Sequence, residues 1–514
     1  MSQMNTQTQI TITRLFPVLV VALALLLSAT AYAAAPGVSG TTFNLTASSA
    51  FISQPDGAMI YSWGYACSGG NATAAPFGPT TGSACGGVMQ VPGPTLIVTE
   101  GQTVTVTLTN NLPPAAGNTS ILFPGFQVTT GGTGVAGLLT QEAAHAGTVT
   151  YTFSTTGKAG THAYYSGTQG DLQIEMGMYG ALIVLPSSGT GCPGVGPYSL
   201  AASAYDDVGS GAAAKNLTCY DREYLFQFSE IDPKIHRQAE EQAGLACTVA
   251  AGCMQVATEP YHPAYFMING RSMPDDMDPN YAQQYPHQPY NGNPHMHPGE
   301  QVLLRVIGTG RWQHPFHEHG NHVRILGRDG NLILSSTDAT KLAGPLLFTT
   351  TTTPGLTMDG IFYWTGKGLN WDVYGHKPND GSTCNGLLNG YHSVTTDPNY
   401  YEWCADHNKP LEAHPFGNVG SGGPVTLPDP NILADGPWYG GSPYLGPDAT
   451  GKAVSPSPIP PSGTVANDPG SEAGFAFMWH SHNEREITTN NIFPGGMMMM
   501  MLVDPQAYTI IESN

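Results

Sequence analysis

Seventeen histidines are spread over 514 residues, and two short groups stand apart by their spacing. One is His314-Pro315-Phe316-His317-Glu318-His319-Gly320; the other, far downstream, is Trp479-His480-Ser481-His482. Residues two apart in an extended strand project to the same face, so each His-x-His aims two imidazoles at one place if both segments are strands. Two such strands side by side make a four-imidazole site from His317, His319, His480 and His482. Imidazole is a borderline ligand that suits copper, zinc, iron or nickel and does not choose among them. The chemistry to expect is a metal's.

The elements that must position these groups are strands. With 64 Gly, 42 Pro and only 11% charged residues, the composition argues for many short strands joined by turns, an all-β fold. Glu100 to Leu108 alternates apolar residues with Thr and ends at Asn110-Asn111-Leu112-Pro113, and the same shape returns from Pro298 to Val306. Laying Gly101 on Gly299 puts Val104 on Val302, Val106 on Leu304 and Leu108 on Val306. The closing strands repeat as well, Gly177 to Pro186 matching Gly496 to Pro505. Two copies of one Greek-key β-sandwich explain this, over 41–187 and 218–508, with a Gly-, Ser- and Ala-rich linker over 188–217. An irregular stretch of the second copy, about 376–470, is too long for an ordinary loop and reads as a lid or cap, although its composition also fits a solvated insertion.

At the N-terminus, an apolar run from Leu15 to Leu27 follows a single basic residue, Arg14, and Ala31-Tyr32-Ala33 supplies a small-x-small cleavage signal. A signal peptide over 1–33 is expected, with a retained anchor as the alternative. The mature protein would then be periplasmic or secreted, with no membrane span left. Eight cysteines in an exported chain read as disulfides, and proximity suggests Cys67 with Cys85, Cys192 with Cys219, Cys247 with Cys253 and Cys384 with Cys404. Losing Arg14 leaves 16 basic against 37 acidic residues, a net charge of −21. Such a surface repels nucleic acid and anionic lipid and tolerates cations.

Val91-Pro92-Gly93-Pro94-Thr95, followed by Gly101 and Asn110-Asn111-Leu112-Pro113, resembles the opening of a multicopper oxidase. His314 to Gly320 is similar to that family's third copper motif, and His480-Ser481-His482 to its fourth. The resemblance implies two cupredoxin-like domains rather than the three of common laccases, copper as cofactor, and His317, His319, His480 and His482 as metal ligands. It also places His314 where a histidine of the blue copper centre would stand. A small-molecule or protein electron donor is the expected redox partner, and a homo-oligomer whose subunit interface supplies further ligands is one way to complete the centre.

The departures from the family pattern carry as much meaning. Laccase-like members have a His-Trp-His-Gly block where this chain has Leu122-Phe123-Pro124-Gly125, and a second His-x-His where it has Tyr165-Ser166-Gly167. In the register of the internal repeat, Leu122 and Pro124 fall opposite His317 and His319, while Tyr165 and Gly167 fall opposite His480 and His482. Half the ligands of a trinuclear copper cluster are therefore missing. The blue centre's cysteine is replaced by Ser481, a hard hydroxyl that does not ionise near neutral pH, and its later histidine by Glu486. An insertion over 487–494 unsettles Met497 as an axial ligand.

Other histidines and methionines have blander readings. His295-Met296-His297 reads as a strand edge, and Met497 to Met501 as core filler, although thioethers also bind Cu(I). Glu484-Arg485-Glu486 reads either as solvated loop charges or as part of the metal motif beside it. Two functions follow: a copper-dependent oxidoreductase lacking the blue centre and a complete trinuclear cluster, or a metal-binding or structural cupredoxin without turnover.

Overall fold

The computed structural model describes residues 35–70, 73–74, 86–187, 192, 202–205, 217–247, 252–367, 390–394, 400–405, 441–444, 474–506 and 508–510. The expected signal peptide lies outside the described residues, as does most of the irregular stretch at 376–470.

Domain 1 is built from β1 (Thr42–Ser53), β2 (Met59–Gly70), β3 (Leu96–Thr99), β4 (Thr103–Asn110), β5 (Thr148–Ser154), β6 (Gly160–Tyr165) and β7 (Tyr179–Leu185). One sheet runs β2-β1-β4-β5 and the other β6-β7-β3. The alternation in β4 does what its pattern predicts: Val104, Val106 and Leu108 are fully buried, while the threonines between them face outward. Trp63, Tyr65 and Tyr151 fill the space between the sheets.

Domain 2 repeats the plan with β8 (Arg222–Ile231), β9 (Tyr265–Ile268), β10 (His295–Met296), β11 (Gln301–Gly308), β12 (His314–Glu318), β13 (Val323–Arg328), β14 (Thr349–Thr352), β15 (Thr357–Tyr363), β16 (Gly474–Ser481) and β17 (Met498–Val503). Its sheets run β9-β8-β11-β15-β13 and β10-β17-β16-β12-β14. Even the mixed pairing is copied: β1 is parallel to β4 as β8 is to β11, and β3 is parallel to β7 as β10 is to β17. The core of this sandwich holds Phe226, Phe316, Trp479 and, from the methionine run, Met497, Met499 and Met501. His295-Met296 forms the short strand at one end of its sheet, with His295 Nδ1 2.6 Å from an Asp504 carboxylate oxygen.

The domains share an apolar seam in which Ile97, Ala163, Ala181 and Ile183 meet Leu225 and Ile307. Beside it lies a buried ion cluster. Arg305 donates from Nε to Glu223 (2.7 Å) and from Nη1 to the Thr161 hydroxyl of domain 1 (3.0 Å), with Asp359 Oδ1 at 3.4 Å. Asp359 in turn accepts from the Thr161 amide (3.0 Å) and the Tyr205 hydroxyl (2.5 Å).

Cys192 and Cys219 form a disulfide, as their proximity predicts. Cys67 and Cys404 are also disulfide-bonded, while Cys85 and Cys384, expected as their partners, lie outside the described residues. The expectation for Cys247 and Cys253 needs correction. They stand as two neighbouring thiols, Cys253 hydrogen-bonded to Cys247, not as a bridge. The chain is held alongside the preceding helix, α1 (Pro233–Gln242), by paired side-chain bonds from Gln242 to the Gln255 backbone and from Gln238 to the Ala257 backbone.

Candidate metal centre

Strands β12 and β16 are hydrogen-bonded neighbours, with Phe316 opposite Ser481, His317 opposite His480 and Glu318 opposite Trp479. Period-two alternation then sorts the two motifs onto two faces. Phe316 and Trp479 point into the domain core, and His317 and His480 point away from it. Gly320 ends the first motif at φ +99°, a left-handed conformation; a Cβ there would lie 3.0 Å from the Phe477 ring. The indole of Trp479 donates to the His319 carbonyl (2.9 Å) and fixes the backbone just before that turn.

On the outer face the imidazoles converge. One ring nitrogen from each of His317, His319 and His480 lies within 4.8 Å of the others, and all three residues are buried. The Nε2 atoms of His319 and His480 are 3.2 Å apart. His482 joins at the rim, its ring centroid 4.8 Å from that of His317, with its side chain 47% exposed.

Two of the outer imidazoles, His317 and His480, are disfavoured as cations by their surroundings. Burial, reinforced by the neighbouring His480 and His482, pushes His317 down to about 4, and burial pushes His480 down as well. His480 Nδ1 lies 2.7 Å from the Ser481 carbonyl, an oxygen that can only accept, so the proton sits on Nδ1 and the Nε2 lone pair faces the cluster. His317 Nδ1 is held by the Thr349 hydroxyl at 2.6 Å.

His314 belongs to the inner face and is not part of this cluster. Its ring is fully buried between two carboxylates, Nδ1 2.8 Å from Glu486 Oε2 and Nε2 2.9 Å from Glu230 Oε2. Burial alone would lower its pKa, but the bonds and charges of Glu230 and Glu486 outweigh this and hold it up at about 9. Ser481 donates to the same Glu486 oxygen at 2.5 Å. Ser481 and Glu486 thus close on His314 as a hydrogen-bonded imidazolium–carboxylate network. The alternative in which Glu486 is a solvated loop charge is not what the structure has: the residue is 1% exposed. Met497 packs in the apolar core.

Glu230 went unnoticed in the sequence, yet a signal was there. Tyr224, Phe226 and Phe228 alternate into the core along β8, and Glu230 continues that parity, an acid where an apolar residue belongs. A Tyr261 hydroxyl links it onward, 3.2 Å from Glu230 and 2.7 Å from Glu175, whose carboxyl burial pushes up to about 8.

The same positions in domain 1 are apolar. Leu122 pairs with Tyr165 in an isolated antiparallel bridge, at the place where His317 pairs with His480 in domain 2. The Leu122 side chain fills the space a Cβ on Gly167 would need.

Two stacked sandwiches of repeated mixed topology, one with a buried imidazole cluster on its outer sheet face, define a protein of two cupredoxin-type domains. Residues 71–189 match the family model described as multicopper oxidase. No curated protein matches the chain significantly in sequence. Solved structures similar to it include a multicopper oxidase designated mgLAC, at 15% identity over 90% of this chain and 86% of that one with a TM-score of 0.46. The blue copper oxidase from Nitrosomonas europaea is similar at 15% identity, 90% and 85% coverage and a TM-score of 0.45. Copper nitrite reductase from the same organism matches over 64% of this chain and 86% of its own, at 18% identity and a TM-score of 0.37.

Proposed function

We propose that this is an exported copper-binding protein that holds one copper ion between His317, His319 and His480, with His482 at the rim. The observation that carries the reading is the convergence of three buried imidazole nitrogens within 4.8 Å of one another. The donor set fits the ion: metals bind neutral imidazole, and burial keeps His317 and His480 neutral. Bound copper supplies one-electron chemistry, cycling between Cu(I) and Cu(II). The protein's own residues supply the donors, their orientation through Ser481 and Thr349, and a wall of apolar side chains beneath. Export rests on the leader-like sequence at 1–33; among the described residues no helix is long and apolar enough to cross a membrane.

A reading without oxidase turnover draws on a specific observation. The position of the blue centre is filled by the His314, Glu230, Glu486 and Ser481 network, so a relay copper has no thiolate there. Copper holding is therefore the primary function in this reading, and any redox activity uses the imidazole centre directly with an outside electron donor.

The test is metal analysis of protein purified from its export compartment, alongside the double variant His480→Ala, His482→Ala. One copper per chain in the parent and none in the variant, with thermal unfolding little changed, is the expected result. A double variant that still holds one tightly bound metal per chain places the site elsewhere.

A further inference from the structure

The row of side chains that carries His317 and His480 continues beyond them. Directly opposed residues of an antiparallel ladder project to the same face, with Cβ atoms roughly 5 Å apart. Thr349 of β14 opposes His317, His317 opposes His480, and His480 opposes Met498 of β17. The outer face therefore reads Thr349, His317, His480, Met498 in one line. One position along, Met478 opposes Met500, and the His319 amide bonds to the Met478 carbonyl.

The run of five methionines is thus split by alternation. Met497, Met499 and Met501 are core filler. Met498 is only 6% exposed yet stands outside that core cluster, on the face of the imidazoles. In domain 1 the equivalent line is Leu122, Tyr165, Tyr179. There the Tyr179 hydroxyl reaches Ser229 of domain 2 at 2.7 Å, so the line serves domain packing. In domain 2 each of these three positions instead carries a side chain with a metal-binding lone pair: His317, His480 and Met498.

A thioether is a soft donor that favours Cu(I), whereas imidazole is borderline and accepts Zn(II) equally well. We propose that Met498 is a further donor of this centre, backed by Met478 and Met500 on the same face, and that it sets the centre's preference for monovalent copper over zinc. The inference rests on the copper reading above and assigns the oxidation state and selectivity of the same site.

Met498→Leu keeps volume and apolar character, so the sandwich tolerates it. Cu(I) affinity is read by competition with a chromophoric Cu(I) chelator under reductant, and Zn(II) affinity by competition with a zinc chelator. In Met498→Leu, Cu(I) binding should weaken at least about tenfold, the loss typical of even a supporting residue at a metal site, with Zn(II) binding unchanged. The core substitution Met501→Leu should alter neither. Unchanged Cu(I) affinity in Met498→Leu, or an equal loss for both ions, overturns the role of Met498 while a metal-free His480→Ala, His482→Ala variant leaves the copper centre standing. A parent protein that holds neither ion overturns the centre and this inference together.

Discussion

The Nε2 atoms of His319 and His480 meet at 3.2 Å although the residues are 161 positions apart. Both are 5% exposed, whereas the side chain of His482, the other imidazole from β16's motif, is nearly half exposed. The cluster therefore has a buried set of three donors and a rim. Removing a buried donor should cost far more affinity than removing the rim one. His319→Ala is expected to weaken copper binding on the order of 100-fold and His482→Ala about tenfold, spanning the range seen even for supporting residues at metal sites. Chelator competition on the two single variants checks the order; equal losses contradict it.

The inner network makes stability fall at alkaline pH. His314 is held at about 9 against an ordinary value of 6.5. A group raised in the folded state stabilises fully below its unfolded pKa and loses that contribution as pH climbs through its folded pKa. The window therefore runs from about 6.5 to above 9, and the loss is on the order of 3 kcal/mol. Urea unfolding across this range should show the decline in the parent. His314→Gln should be less stable at neutral pH, because two carboxylates lose their cation, and should lack this part of the slope.

Copper-loaded protein should show no intense visible charge-transfer band. The hydroxyl of Ser481 donates to Glu486 and offers no thiolate to an ion. Ser481→Cys combined with Glu486→His should introduce the band, since it places sulfur and a second imidazole beside His314; a band in the parent protein contradicts the reading of the inner face.

Arg305→Ala should destabilise the protein by about 3–5 kcal/mol, because it strands the buried carboxylates of Glu223 and Asp359. Because Arg305 also bonds Thr161 across the domain seam, the variant should unfold in two resolved steps by calorimetry where the parent unfolds in one.

Cys247 and Cys253 should titrate as thiols under denaturing conditions without reductant, and mild oxidation should remove both at once as a single intramolecular bridge. Their adjacency makes the intramolecular bridge the expected product of oxidation; oxidation that yields cross-linked dimers instead would contradict it.

Much of the fold was legible because β patterns are local. The alternation at Val104, Val106 and Leu108 and its copy at Val302, Leu304 and Val306 mark two sandwiches, and His-x-His spacing places pairs of imidazoles on one face. The register of the repeat even put Leu122 and Tyr165 opposite the histidine positions, and the strands pair that way. What could not be read is what depends on distant partners. His314 meets Glu230 and Glu486 across separations of 84 and 172 positions, and nothing near His314 in the chain announces that two carboxylates will enclose it. Met498 looked like one more apolar residue in a run, because only the pairing of β17 with β16 gives it a face.

The hydrogen-bonded pairing of β12 with β16 has a consequence in time. Each His-x-His leaves the ribosome as a separate two-toothed chelator, and 161 positions of chain must be closed before the two can meet. Closing so long a loop carries an entropic cost that locally paired strands do not meet, so the centre exists only once β12 and β16 have paired. An ion encountered earlier finds only half-sites, which bind weakly and discriminate poorly. On the copper reading, maturation has an order: the sandwich closes first, and the ion arrives afterwards.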